Sequence, residues 1–319
     1  MYRFLARRLL FALISMLGAT IVIFSLSRLS HDPRTLFVSD LGGYIPPDQW
    51  EALTKRLGYD KPAIIQYFTW LGRTLRGNLG DSFGQQRPVM TVIAGKIGAT
   101  MQLALGAWIF AVSVGLPMGV LAAVKRATIL DYAGRAFALF GQALPVFWTG
   151  VMSILIFSVM LKWFPSGTRG DWRGFPFVWQ NIKYYVLPSI VLGWYNAAVI
   201  MRLTRSAMLE ILDSEYIKFA RSKGVRETII IWKHGLKNAL IPPLTAAMFI
   251  MAGFIVGAVV TETVFSWPGM GWLALQRAVY DNDFPLLMGC VLFFVVIYLS
   301  IALLADIAYA FVDPRIRYQ

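Results

Sequence analysis

Long apolar runs alternate with short charged segments along the whole chain, and the runs are too long for half-buried strands. Six windows of at least 18 residues contain no Asp, Glu, Lys or Arg: Leu9–Ser27, Ile97–Val124, Ala136–Leu161, Tyr184–Met201, Asn238–Thr261 and Phe284–Ala305. A hydrocarbon core of ~30 Å needs about 20 helical residues. One central Asp, Lys or Arg would cost about 2.5–3.5 kcal/mol on insertion scales. Each window therefore predicts a membrane-spanning helix. The expected fold class is all-α, a polytopic membrane protein with six transmembrane helices. Pro117, Pro145 and Pro188 fall inside or near the ends of these spans, where neighbouring helices can satisfy the carbonyls that a proline frees.

Composition agrees with the pattern. Of 319 residues 57% are apolar and 15% charged, with a mean hydropathy of +0.60. Soluble domains carry roughly 25% charged residues, so a soluble enzyme is excluded. A single cysteine, Cys290, excludes an intrachain disulfide and a cysteine-based metal cluster. The two histidines, His31 and His234, are far apart, and no metal site is expected. No cofactor is expected on this chain, since the Gly-x-x-x-x-Gly-Lys-Ser/Thr phosphate loop is missing.

Arg3, Arg7 and Arg8 before an apolar run resemble the start of a signal peptide. The run has 19 residues, however, and Arg28-Leu29-Ser30-His31-Asp32 follows without a small-x-small cleavage pattern. The expectation is an uncleaved helix. Orientation follows from the short segments between spans. Arg3, Arg7 and Arg8, the turn with Lys125, Arg126 and Arg135, the segment from Arg202 to Lys237 and the tail with Arg315 and Arg317 fall on one side. That side holds 16 basic and seven acidic residues, net +9, against +4 on the other. The positive-inside rule then puts both termini in the cytoplasm. The basic balance is topological, and no nucleic-acid partner is expected.

The longest outside segment, residues 29–96, has room for short helices. Pro47 and Asp48 open Gln49–Leu57 and Gly58 closes it. Lys61-Pro62 opens a second stretch with Ile64, Ile65, Phe68 and Leu71 at helical spacing. Asn78–Gly84 reads as a turn. This segment is either a docking surface for an extracytoplasmic partner or a small cap on the bundle, and the two are compatible.

The inside segment between the fourth and fifth spans carries the sharpest local signal. Asp213 or Ser214 can cap a helix start. Glu215 suits the positive end of the dipole and Lys223 the negative end. Gly224 can adopt the left-handed conformation that stops the helix. Tyr216, Phe219 and Ala220 recur at i, i+3 and i+4. The expectation is about three turns over residues 213–224. This peg would fit a partner's groove or lie as an interfacial helix on anionic lipid. The residues alone leave both open.

Several ordered motifs resemble the dipeptide/oligopeptide branch of ABC importer permeases. They are Arg7-Arg8-Leu9-Leu10; Leu57-Gly58-Tyr59-Asp60-Lys61-Pro62; Gln66-Tyr67; Gly77-Asn78-Leu79-Gly80-Asp81-Ser82-Phe83; and Arg87-Pro88-Val89. The cytoplasmic stretch adds Arg202 to Met208, Glu215-Tyr216-Ile217, Ala220 to Gly224, then His234 to Ala239 and Pro242. Glu262 to Gly271 and the tail Asp313 to Tyr318 complete the series. Where many importer permeases have Glu-Ala-Ala before the glycine, this chain has Lys218-Phe219-Ala220, so only Ala220 and Gly224 match.

The resemblance implies a type I ABC importer permease fold in a bacterial or archaeal inner membrane. It divides the chain into a first span (1–28), the outside segment (29–96), a five-helix core (97–311) and a cytoplasmic tail (312–319). It implies that Glu215, Tyr216, Phe219, Ala220, Lys223 and Gly224 form a coupling helix seated on a separate ATPase, with Arg205, His234 and Asn238 supporting it. ATP and Mg would sit on two partner ATPase subunits or domains, and this chain would not be an enzyme. The remaining partners would be a second homologous permease, an extracytoplasmic binding protein and membrane lipid. Gln142, Trp148, Asn196, Glu262 and Trp267 are candidates for the passage or an outer gate, or else for interhelical hydrogen bonding. His234 and Asn238, four apart, would tie the coupling helix to the fifth span through backbone carbonyls, or form a satisfied polar pair. Glu262 would pin the Trp267-Pro268-Gly269 loop or be a helix-end acid. Phe293 and Phe294 read as lipid-facing. Peptides are the expected cargo, with nickel chelates, oligosaccharides or opines as alternatives. An ion-gradient-driven transporter would place acids or histidines mid-membrane, whereas the ionisable residues here stop at span edges.

Overall fold

The computed structural model describes residues 2–30, 47–58, 60–170 and 179–312. His31, Tyr59 and the tail motif Asp313–Tyr318 lie outside them. The described elements are α1 Tyr2–Ser30, α2 Pro47–Leu57, α3 Ala63–Leu75, α4 Val89–Val124, α5 Ile129–Ala143, α6 Val146–Ser153, α7 Trp179–Leu212, α8 Glu215–Ser222, α9 Glu227–Ile229, α10 Lys237–Ala239, α11 Ile241–Val264, α12 Met270–Leu273 and α13 Phe284–Val312. No strand occurs among the described residues. Wider π-helical turns follow α6 (Ile154–Met160), α9 (Ile230–Leu236) and α12 (Ala274–Val279).

Among the described residues five helices are long and apolar enough to cross a membrane, or six if one bent pair counts as a single span. The sixth window, Ala136–Leu161, is not one straight helix. α5 and the run Val146–Met160 meet at 108°. Leu144 is extended (φ −91°, ψ 132°) and Pro145 begins the next helix (φ −62°, ψ 140°). A proline disfavours the helical region for the residue before it, which is where α5 stops. Pro117 and Pro188 lie inside the continuous helices α4 and α7.

By contacts the chain forms two units, residues 1–98 with 269–300 and residues 99–268 with 301–319. This division differs from the four segments expected from the sequence. In the first unit, the start of α4 (Val89, Val92, Ile93) packs with Met270, Leu273, Ala278, Leu286 and Cys290. Asp283 caps α13, its Oδ1 accepting from the Leu286 amide at 3.1 Å, while its other oxygen accepts from Ser82 Oγ and the Gly84 amide. Phe293 and Phe294 pack on this cluster as an edge-to-face pair, so they are not simply lipid-facing. The two short helices of the 29–96 segment form where expected, with Gly58 at φ +72° and Pro62 before α3. The apolar stripe of α3 does not supply its packing: Ile64, Ile65 and Phe68 are exposed. Instead Tyr67 and Trp70 pack on Phe24 of α1, and the Tyr67 and Thr20 hydroxyls hydrogen-bond at 3.0 Å.

In the second unit, α7 is central and packs on α4, α5 and α11. The helix is longer than the charge-free window and continues through Arg202 and Arg205 to Leu212. Small residues allow close approach: Gly134, Ala138 and Gly141 are the buried face of α5. Pro242 stands in the first turn of α11, where a proline costs no intrahelical hydrogen bond.

Candidate functional site: the cytoplasmic elbow and its clamp

α8 is shorter than expected, eight residues and about two turns rather than three. Ser214 is the N-cap residue, but its hydroxyl donates backwards to the Ile211 carbonyl at 2.6 Å and does not cap the helix. Asp213 lies 3.8 Å from Arg126 in an exposed pair that contributes little. The stop is as expected. Gly224 has φ +74°, and its amide donates to the Arg221 carbonyl at 2.9 Å. Lys223 caps the helix and its ammonium lies 4.4 Å from the Phe219 ring centre.

The apolar residues of α8 divide between two faces. Ile217 and Ala220 are buried, and Ile217 joins Val120 and Ala123 of α4, Met208 and Leu212 of α7, Ile230 and Ala239 in one cluster. Tyr216 and Phe219 are 50% and 61% exposed. The expected stripe of Tyr216, Phe219 and Ala220 is thus not one surface: Ala220 faces the chain's own core, and the outward face is Tyr216, Phe219 and Lys223. Arg221 bonds both carboxylate oxygens of Glu227, which holds that carboxyl below its ordinary pKa and raises the guanidinium.

His234 reaches α8 through a side chain: Tyr216 Oη and His234 Nδ1 share a short hydrogen bond, with the rings edge to face at 5.6 Å. Asn238 Nδ2 donates to the His234 carbonyl at 3.0 Å. The link between α8 and the run into α11 therefore exists, but only Asn238 uses a backbone carbonyl.

Arg205 acts on a residue that the sequence marked only as a charge. Asp131, at the start of α5, is 1% exposed. Its Oδ1 accepts from Arg205 Nε at 2.8 Å. Its Oδ2 accepts from Arg205 Nη2 at 3.0 Å, Arg135 Nη2 at 3.2 Å and the Ala127 amide at 3.0 Å. Ala127 reaches it from a left-handed turn, φ 60°. This clamp fastens the α4–α5 turn to α7 about two turns before α7 ends. The one sequence signal for it is Asp131 and Arg135 at i, i+4 in a first helical turn.

The other predicted residues lie elsewhere. Glu262 is fully buried in the last turn of α11 and accepts from Thr100 Oγ1 at 2.6 Å. Its carbonyl accepts from the Trp267 amide at 2.8 Å, and Trp267 Nε1 donates to the Ala99 carbonyl at 2.9 Å. Trp267 is itself fully buried, with Arg169 and Tyr185 beside its ring. The loop is thus fixed by the Trp267 ring on Ala99 and by the Glu262 backbone carbonyl, while the Glu262 carboxylate bonds Thr100. Gln142 and Asn196 are half-buried and Trp148 is exposed just past the bend. Among the described residues no hydrogen bond joins these three to one another or to Glu262. No cluster of metal-ligating side chains occurs among the described residues.

Known proteins resemble this chain. The chain is 37% identical to the dipeptide transport system permease protein DppB of Escherichia coli strain K12, covering 100% of both chains. It is 35% identical to the oligopeptide transport system permease protein AppB of Bacillus subtilis strain 168, again over 100% of both. The fold matches a solved chain of the MetNI methionine ABC transporter in an inward-facing conformation, with a TM-score of 0.57, 20% identity, and coverage of 70% of this chain and 97% of that one. The model of binding-protein-dependent transport system inner membrane components matches residues 115–318, and the model of their N-terminal region matches residues 1–104. With both models matched in sequence order and full-length relatives on either side, this chain belongs to the inner-membrane permease components of binding-protein-dependent ABC transport systems.

Proposed function

We propose that this permease forms half of the pathway of an ATP-driven peptide importer, with α8 as the coupling helix on which a separate ATPase acts. The observation that carries the reading is the division of α8. Ile217 and Ala220 fix it to the ends of α4 and α7, leaving Tyr216, Phe219 and Lys223 exposed on the other side. A short helix held from behind moves as a rigid body with the spans it is fixed to. ATP-driven closure of two ATPases would therefore tilt α4 and α7, and alternating access follows from rigid-body motion. The second permease completes the pathway, and an extracytoplasmic binding protein delivers the cargo. Both termini face the cytoplasm, on the side where positive charge is concentrated. Peptide cargo is carried over from the relatives named dipeptide and oligopeptide permeases.

The test uses the transporter co-purified with its ATPase subunits and reconstituted with its binding protein. A cysteine at Phe219 should cross-link to the ATPase. Phe219→Ala removes an exposed aromatic anchor, and hot-spot truncations cost about 2 kcal/mol or more. Peptide uptake should fall roughly tenfold or more while basal ATP hydrolysis persists. Uptake that needs no ATP and follows a proton or sodium gradient would sink the reading. Uptake of another solute in place of peptides would correct the cargo alone.

A further inference from the structure

Beside the Asp131 clamp, α5 and α7 leave a cavity of about 330 Å³, open on one side and lined by Arg135, Ala138, Leu139, Met201, Arg202 and Arg205. Three guanidiniums converge there with one carboxylate, and that carboxylate is saturated. Both Asp131 oxygens are taken by Arg205, Arg135 and the Ala127 amide. Arg202 is exposed and takes no ion pair or hydrogen bond among the described residues. Arg135 gives Asp131 a single bond from Nη2 and is held over the Tyr132 ring at 4.5 Å, so it keeps further donors free. The site therefore has two net positive charges and unused N–H groups arranged for an anion with several oxygens.

The rest of the lining is apolar. Ala138, Leu139 and Met201 form the floor, and Leu139, 66% exposed, lies one turn beyond Arg135 inside the charge-free window Ala136–Leu161. Phe140 beside it is also exposed. A free phosphate would use the arginines and leave this surface uncovered. A molecule with a phosphate at one end and hydrocarbon at the other uses both. Basic pockets between membrane helices bind lipid headgroups in this way, and the volume is at the lower end of ordinary ligand sites, ~300–1,000 Å³.

We propose that this cavity is a binding site for an anionic phospholipid, its phosphate held by Arg135 and Arg202 and an acyl chain lying along Leu139. Bound there, the lipid bridges α5 and α7 next to the clamp that anchors the elbow. The assignment rests on the chemistry of the cavity and stands whichever way the termini face.

The test is native mass spectrometry of the whole transporter purified in mild detergent, followed by reconstitution in phosphatidylcholine vesicles with or without phosphatidylglycerol. The wild type should retain phosphatidylglycerol and gain thermal stability from it. Arg202→Gln should lower the retained fraction about tenfold through loss of a charge-assisted phosphate contact. Arg135→Gln with Arg202→Gln should remove both retention and the stability gain, while Arg202→Lys keeps most of the retention. Melting of Arg202→Gln in phosphatidylcholine alone should match the wild type, because Arg202 takes no part in the Asp131 clamp. Equal retention by the double variant would overturn the site. Inorganic phosphate without lipid producing the full stability gain would overturn the lipid. A cysteine at position 202 that cross-links to a partner subunit's acidic segment, with no lipid retained by the wild type, would overturn both.

Discussion

Arg205→Met is expected to destabilise the protein by about 3–5 kcal/mol, the cost of stranding one member of a buried ion pair. The stranded group is the Asp131 carboxylate, 1% exposed, whose two oxygens now take a fork from Arg205 Nε and Nη2 at 2.8 and 3.0 Å. Arg135 cannot take over. It offers one bond at 3.2 Å from a side chain that is 48% exposed, and only Oδ2 is within its reach. Asp131→Leu added to Arg205→Met removes the buried charge and should recover about half of the loss. The remainder is the lost charge-assisted bond from the Ala127 amide, about 1.5–3 kcal/mol for a hydrogen bond to a charged group. The measurement is the melting midpoint of the purified transporter for the wild type, both single variants and the double variant. Two single losses that simply add would mean the carboxylate is not stranded. Uptake should fall with stability, because the clamp fixes α7 just before Met208 and Leu212, the residues that hold α8 from behind.

What could be read from the sequence divides by range. The end of α8 was legible because Gly224 needs only its own backbone, at φ +74°. The same holds for Gly58 after α2 and Pro62 before α3. The spans were legible because lipid imposes one requirement along their whole length. The bend at Leu144–Pro145 was not. Pro117, Pro145 and Pro188 look alike in sequence, and the difference lies in what packs around each one. Pro117 falls between Gly115 and Gly119, both in close contact with α7. The partners of Asp131 and Glu262 were not legible for a related reason. The partner of Asp131 is 74 residues away and that of Glu262 is 162 residues away. A local reading sees a charge in a turn and an acid at a helix end. The outward face of α8 was half legible, since helical spacing grouped Tyr216, Phe219 and Ala220 but could not tell that Ile217 turns Ala220 into the core.

Gly119→Leu should prevent the assembled protein from accumulating. Gly115 and Gly119 stand four apart on α4, a small-residue spacing that lets two membrane helices approach backbone to backbone. A Cβ at Gly115 would lie 2.7 Å from the Ala197 carbonyl oxygen. At Gly119 it would lie 2.5 Å from Thr204 Cβ and 2.7 Å from the Met201 carbonyl oxygen. α7 returns the contact further along, where a Cβ at Gly193 would lie 2.6 Å from the Ala107 carbonyl oxygen. Backbone atoms cannot rotate away as a side chain can, so α4 and α7 must separate along their shared length. Overpacking costs about 1–3 kcal/mol where side chains can shift, and more where they cannot. The displacement would fall on Met201 and Thr204, within a turn of Arg205, and would therefore loosen the Asp131 clamp too. Gly253→Ala on α11 is the control, since a Cβ there meets nothing within 4 Å. Yield and melting midpoint of the two variants, purified with the same partner subunits, decide the matter. If Gly119→Leu assembles and melts like Gly253→Ala, the close approach of α4 to α7 does not hold the unit together.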